Sequence, residues 1–413
     1  AAAGLYTLPL PDALPISLPA VPLGFRLAGA SCGIKSTPDR EDVTLIVCDE
    51  DAVAAGVYTT NLVHAACVAM NRQKTPFDRF RVVVVNSGNA NTCTGKRGEQ
   101  DSLEMLALAA ESCGAEPNQV LVLSTGIIGV FLPMEKVRAG IPAAAAKLAS
   151  DENALVAAAR GFTTTDRYEK VAGRTVELAG TTIQITGIAK GAGMIAPNMA
   201  TLLATIMTDA RLTPSDAQAA LQAATNVSFN SISVDGHMST SDTVLLLASG
   251  KSSPDPLSKA DMVTFQTALD EVCIELARMI PADGEGASHL ITLDVSGCRT
   301  REEAHQIAKQ VAESALVKTA ITGADPNWGR IVSAAGQAGV PFDPAGMSLS
   351  MNGRAIFQHG EPVAFDAADV SQSIRDQQET HIELSFSEGS AATRFWASDL
   401  TVDYVVFNSE YTT

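Results

Sequence analysis

The sequence predicts an α/β protein in which mixed sheets are layered with helices. Two observations carry this. Short apolar, β-branched runs alternate with alanine-rich stretches of helical periodicity along the whole chain. Their order keeps no strict strand–helix–strand rhythm, so strands of both directions are expected within a sheet. The chain has 413 residues, 46% hydrophobic and 18% charged, a globular balance with enough length for a substantial core. No internal repeat or low-complexity linker interrupts it, so the two halves are expected to pack as one body.

Residues 1–17 are apolar and proline-rich without a basic leader, so no secretory signal is expected. They resemble nothing downstream and are taken as non-native or disordered. Residues 43–48 read as a strand, and 81–85 as a fully buried one because its apolar residues do not alternate. Residues 100–113 form a helix stopped by Gly114, 120–123 the next strand, and 133–148 a helix that tolerates Pro133 at its start. Segments 174–179 and 182–187 make a hairpin about Gly180, and 201–207 is a strand. Thr213 is the expected N-cap of a helix over 214–224. Then follow a buried strand at 243–248, a long helix at 259–279 and a strand at 289–295. A helix at 301–317, a strand at 347–351 and a helix at 367–377 come next, and strands at 381–387 and 401–407 close the chain.

Composition excludes several classes of function. A formal net charge of −17, with no basic run, leaves nothing to displace counterions from a nucleic acid. Seven scattered cysteines without C-x-x-C fit reduced thiols of a cytoplasmic protein, and six histidines without H-x-x-x-H give no zinc signature. The longest uncharged run, 191–208, includes Pro197 and Asn198 and reads as a buried loop and strand, so no membrane span is expected. A Walker A loop, a nucleophile elbow and a dinucleotide fingerprint are absent: Leu245 stands where the first P-loop glycine belongs, and a strand follows 187–193.

What remains is threonine chemistry. Residues 190–205 run from a Gly-rich, Pro-broken turn into a strand-like segment whose first hydroxyl is Thr201. This arrangement presents a nucleophile at the mouth of a rigid element, and suggests cleavage before Thr201 to free an N-terminal threonine. Taken alone, such a threonine is usually just a strand start. LSTGIIG at 123–129 sets a hydroxyl and amides at a strand end, an arrangement suited to an oxyanion hole. NSGNAN at 86–91 clusters short polar groups after another buried strand. The plainer reading of both is a tight turn with side chains bonding backbone.

Seven segments in order resemble the ornithine acetyltransferase (glutamate N-acetyltransferase) family: NSGNANTCTG at 86–95, STGIIG at 124–129, GIAKGAGMIAPNMATLLATIMTD at 187–209, SVDGHMSTSDT at 233–243, DGEG at 283–286, GADPNWGR at 323–330 and NSEYTT at 408–413. The resemblance runs from about Gly24 to the C-terminus. It implies the N-terminal-nucleophile-like aminopeptidase and ornithine acetyltransferase superfamily fold. It also implies self-cleavage at Ala200–Thr201 into an α chain (18–200) and a β chain (201–413), assembling as α2β2 or larger. By the same resemblance Thr201 is the nucleophile and Thr125 and Gly126 form the oxyanion hole. Thr164, Lys190, Thr201, Glu285, Asn408 and Thr413 contact substrate. Arg167-Tyr168-Glu169 departs from the family pattern after Thr-Thr-Asp, which leaves Thr163 and Thr165 as alternatives to Thr164. His237 stands where an acidic residue is expected, and could alter the site's response to pH.

The activity so implied is ping-pong transfer of acetyl from N2-acetylornithine to glutamate through an acetyl-threonine ester, in the cyclic route to arginine. Acetyl-CoA would be an additional donor, and no metal or organic cofactor is expected. Partners would be these small molecules and the two chains of one precursor, with no nucleic acid and no membrane, in the cytoplasm. The alternative is an aminopeptidase or amidase of the same superfamily, with water as acceptor.

Overall fold

A computed structural model describes residues 18–196 and 202–410. Fifteen strands are named here in chain order. They are β1 (Phe25–Ala30), β2 (Val43–Tyr58), β3 (Phe77–Asn89), β4 (Val120–Ile127), β5 (Lys170–Leu178), β6 (Thr181–Lys190), β7 (Leu203–Thr208) and β8 (Ile232–Ser233). The remainder are β9 (Thr243–Ala248), β10 (Leu290–Cys298), β11 (Ser348–Met351), β12 (Arg354–Gln358), β13 (Glu361–Pro362), β14 (Glu379–Ser385) and β15 (Ala391–Ser398). The first sheet runs β4-β3-β2-β9-β7-β6-β5, with β1 also paired to β2; the second runs β13-β12-β11-β14-β10-β15-β8. Both are mixed, as expected: β3–β4 and β7–β9 are parallel in the first, β10–β14 and β8–β15 in the second, among antiparallel neighbours.

The helices are layered on these sheets because the central strands are apolar on both faces. Every residue of β7 and β9 is buried. In β9 the period of two divides the side chains cleanly: Leu245 and Leu247 enter one core, Val244 and Leu246 the other. The first core lies under helices Ala66–Lys74, Gly95–Cys113, Met134–Ala145 and Glu152–Phe162. The second lies under Pro214–Val227 and Lys259–Ala282, and its cluster, with Phe265, Val272 and Leu276, extends to Trp396 and Leu290 of the second sheet. A third core packs Arg301–Ala312 and its neighbours against Ile291, Leu293 and Val295 on the far face of β10. No helix among the described residues is long and apolar enough to cross a membrane.

Two expectations are corrected. Residues 401–407, rich in β-branched and aromatic side chains, form the helix Val402–Glu410 rather than a strand. Local hydrogen bonding overrides the composition: the Thr401 hydroxyl accepts the Tyr404 N–H at 3.2 Å and donates to the Gly286 carbonyl at 2.6 Å. The expected helix 301–317 is two, Arg301–Ala312 and Ala315–Thr322, because Ser314 caps the second by accepting the Val317 N–H at 3.4 Å. Elsewhere the expected elements are present with altered ends, longer in β2 and β3 but shorter in the helix Met134–Ala145; Thr213 caps its helix and Gly114 is left-handed at φ 66°.

Close approach of β1 to the Glu152–Phe162 helix requires a glycine. A Cβ on Gly29 would lie 2.0 Å from the Ala157 carbonyl oxygen, in backbone that cannot yield. Gly29→Ala is therefore expected to cost about 1–3 kcal/mol, read as a lowered urea midpoint at unchanged m-value; an unchanged midpoint would refute this packing.

Candidate active site

Seven separate pieces of chain converge on one cavity of about 90 Å³ beside the mouth of β7. Its walls include Thr125, Gly126, Thr164, Lys190, Glu285 and Asn408, six of the residues singled out in the sequence. Thr165 lines it too, whereas the Thr163 hydroxyl bonds the Arg160 carbonyl at 2.8 Å and lines a different cavity. Ala200, Thr201 and Thr413 lie outside the described residues. His237 is exposed, with its backbone N–H bonded to Asp235, and does not line the cavity.

The first wall is the joined end of β3 and β4. Thr125 and Gly126 pair in parallel register with Ser87 and Gly88, so they belong to the strand rather than to a turn beyond it. Gly126 has φ 131°, and a Cβ there would meet the Gly88 carbonyl carbon at 2.3 Å. Only glycine brings these backbones so close. The polar cluster beside it proves mainly structural, as the plainer reading held. Asn86 donates to the Asn89 carbonyl at 2.8 Å, and the Asn89 carboxamide oxygen accepts the Asn91 N–H at 2.8 Å. Asn91 is left-handed at φ 50°. From there the Thr240 hydroxyl reaches Thr92 at 3.1 Å, joining this wall to the 239–241 segment.

A buried ionic knot holds three further walls. Lys170 Nζ lies 2.7 Å from Asp166 and 2.6 Å from Asp283, and all three side chains are 0% exposed. Asp166 Oδ1 also accepts the Gly191 N–H at 2.7 Å, and its Oδ2 accepts the Thr164 N–H at 2.9 Å. Burial opposes charge on Asp166, but Lys170 and Lys190 outweigh it and hold the carboxyl well below the usual range. Lys170 is likewise opposed by burial, yet raised by its two aspartates.

Past β6, the loop carrying Met194 is set by carboxylates. Met194 is left-handed at φ 58°, a strain of about 1–3 kcal/mol in a non-glycine residue. The Asp235 carboxylate accepts its N–H at 2.6 Å and that of Ile195 at 2.9 Å. Glu285 donates its own N–H to the Ala192 carbonyl at 2.8 Å, and Asn408 Nδ2 donates to Glu285 Oε2 at 3.1 Å. A Cβ on Gly193 would fall 2.4 Å from that carboxylate. Lys190 is 2% exposed; burial lowers its pKa, offset in part by Asp166, Glu285 and Asp242. The cavity thus offers a desolvated cation, a carboxylate and several hydroxyls in a small space.

Sequence reasoning assigned no role to Asp166, Lys170, Asp283, Asp242 or the 239–241 segment. Asp242 is fully buried, accepts the Leu202 N–H at 2.9 Å, and is pushed well above the usual carboxylate range by burial. The available signal was an aspartate inside an uncharged, apolar-flanked run, S-T-S-D-T-V-L-L-L. A larger, open cavity of about 340 Å³ lies behind the Thr163–Asp166 wall. Two of its three arginines are paired, Arg160 with Glu169 and Arg167 with Asp283, and the third, Arg40, donates to the Thr163 hydroxyl at 3.2 Å and the Asp166 carbonyl at 3.3 Å. Ser288, His289 and Asp399 adjoin one another but form no relay, because Ser288 donates to Asp399 and His289 Nε2 is bonded to the Ile374 carbonyl. Among the described residues no group of three or more His, Cys, Asp or Glu side chains could hold a metal ion.

A family model described as the ArgJ family matches residues 26–413. The arginine biosynthesis bifunctional protein ArgJ of Rhodopirellula baltica is 48% identical over 396 residues, 95% of this chain and 96% of its own. Its counterpart in Symbiobacterium thermophilum is 44% identical over 395 residues, 95% of this chain and 98% of its own. A solved structure of the arginine biosynthesis bifunctional protein of Bacillus halodurans aligns with 50% of this chain and 97% of its own, at 37% identity and a TM-score of 0.48.

The ionic knot makes a stability prediction with a definite sign. A lowered Asp166 stabilises above its unfolded pKa of about 4 and loses this as pH falls, while a raised Lys170 stabilises below about 10 and loses it as pH rises. Lys170→Met removes the cation that Asp166 and Asp283 share, leaving Arg167 beside Asp283 and Lys190 near Asp166, and should cost about 3–5 kcal/mol at pH 7. The Asp166 carboxylate then gains by taking up a proton, so the deficit should narrow as the pH is lowered towards 4. A deficit in urea unfolding that is independent of pH would show that the knot is not its source.

Proposed function

The chain belongs to the ArgJ family, an acyltransferase family of arginine biosynthesis, and on that premise we propose that it carries acetyl from N2-acetylornithine to glutamate as an ester of Thr201. The observation that carries this reading is the convergence of Thr125, Gly126, Thr164, Lys190, Glu285 and Asn408 on one cavity at the head of β7, the strand that Thr201 leads by two residues.

The proposed cycle begins with self-processing. The Thr201 hydroxyl adds to the Ala200 carbonyl, the C–N bond breaks as the Thr201 nitrogen takes a proton, and water hydrolyses the resulting ester. The products are a carboxylate at Ala200 and a free amine on Thr201. That amine, of reference pKa about 8, then serves as the general base. In transfer, Thr201 Oγ attacks the acetyl carbonyl and its proton passes to the amine. The oxyanion is held beside Thr125 and Gly126, where a donor is worth about 3–4 kcal/mol. Ornithine leaves with that proton, and the glutamate amine then attacks the acetyl-threonine ester, restoring Thr201.

The wall chemistry suits both amino acids. The Lys190 cation suits the α-carboxylate common to ornithine and glutamate, and Glu285 with Asn408 suits the ornithine side-chain ammonium. Thr164 and Thr165 add hydroxyls. Transfer to an amine rather than to water requires that bound substrate exclude water from this cavity. The cycle as proposed needs no metal or organic cofactor. We extend it to acetyl-CoA as a second donor, to the cytoplasm as its compartment, and to α2β2 or larger as its assembly.

Three measurements test this. Intact mass under denaturing conditions should give two fragments, the second beginning at Thr201, and steady-state assays pairing each donor with glutamate should give acetylglutamate. Thr201→Ala should remain one chain and transfer nothing, whereas Thr201→Ser should keep part of both activities; transfer by the alanine variant would sink the mechanism. Gly193→Ala should displace Glu285 and raise KM for N2-acetylornithine about tenfold or more, with self-cleavage intact. An unchanged KM would remove Glu285 from the substrate contacts.

A further inference from the structure

Thr201 is bonded through its carbonyl to Leu202, and the way Leu202 is held is unusually complete. Its N–H donates to Asp242 Oδ1 at 2.9 Å, and its carbonyl accepts the Thr243 N–H at 3.1 Å. Asp242 is fixed in turn, its carbonyl accepting the Thr59 N–H at 3.0 Å. Leu202 is 1% exposed and Asp242 0%. One residue further on, Leu203 pairs with Thr243 on one side and Lys190 on the other. Thr59 and Ser239 add side-chain hydrogen bonding to the buried Asp242 carboxyl.

We propose that Asp242 is a positioning residue for Thr201: its carboxyl and the Thr243 amide clamp Leu202, and so fix the direction in which the nucleophile meets the Thr125–Gly126 wall. This rests on the reading of Thr201 as nucleophile. The clamp acts through one accepting oxygen, so it needs an acceptor of the same shape rather than a charge. Reaction at Thr201 depends on where its oxygen sits, and a displacement of about 1 Å can cost about a hundredfold in rate.

Three proteins decide it: the full chain, Asp242→Ala and Asp242→Asn, each followed for appearance of the two fragments, for kcat and KM with N2-acetylornithine and glutamate, and for thermal midpoint. Asp242→Ala should slow self-cleavage and kcat by about a hundredfold while KM stays within about threefold. Asp242→Asn keeps an acceptor oxygen at the same place and should hold both rates within about fivefold of the parent. Parent-like rates in Asp242→Ala overturn the clamp. So does an Asp242→Asn protein with a parent-like thermal midpoint that is as slow as Asp242→Ala, since a proton rather than an acceptor would then be what matters. Should Asp242→Ala not fold, Asp242→Asn decides alone: retained rates support the clamp, and rates lost at an unchanged midpoint overturn it. A parent chain that is never cut, or a Thr201→Ala chain that still transfers acetyl, would mark failure of the nucleophile reading rather than of the clamp.

Discussion

The buried Lys170–Asp166–Asp283 knot is the constraint on which the site's shape depends. Three charges taken out of water are costly unless geometry and hydrogen bonds repay them. Here every contact that repays them also places a wall. Asp166 holds Thr164 and Gly191 by their amides, and Asp283 receives Arg167 and leads into the turn that carries Glu285. The stabilising network and the positioning network are one set of bonds, so the cavity walls move together or not at all. An apolar cluster of equal volume could fill the space but could not aim four backbone segments at once.

Around that knot, each side of the cavity uses a different device. The β3–β4 end relies on glycines, whose missing side chains allow strand backbones into contact at Gly126 and Gly88. The loop after β6 relies on the Asp235 carboxylate to hold a methionine in a left-handed conformation. Asp242 secures the chain just beyond Thr201 from the opposite flank. Flexible side chains thus do little of the positioning, which suits chemistry sensitive to sub-ångström placement.

Much of this was legible in the sequence, and the exceptions have physical causes. Long apolar runs such as Val244–Leu247 declare themselves, because burial on both faces demands hydrophobic residues throughout. The C-terminal helix was hidden by its own composition: Val402, Val405 and Val406 are helically spaced, but their β-branched type argued for a strand, and the deciding hydroxyl of Thr401 acts through geometry. The residues that line the cavity stood out by motif. The ones that hold them did not, because Lys170 meets Asp283 across 113 positions and nothing local marks either as buried. Asp242 was nearer to visible, an acid set against a run of leucines.

One further consequence lies in the order of the first sheet. Strands β7 and β9 follow residue 201, yet they sit between β2 and β6, which precede it, each bonded to an earlier strand along its full length. A cut before Thr201 would therefore leave the later fragment dovetailed into the middle of the earlier one. Withdrawing it would open two ladders and strip both helical layers from their shared strands. The first sheet is complete only with strands of both pieces, whereas the second belongs wholly to the later one, and separation would bare apolar strand edges of the sort that seed aggregates. The scission would be chemically final but mechanically silent, and the two products would live and turn over as a single molecule.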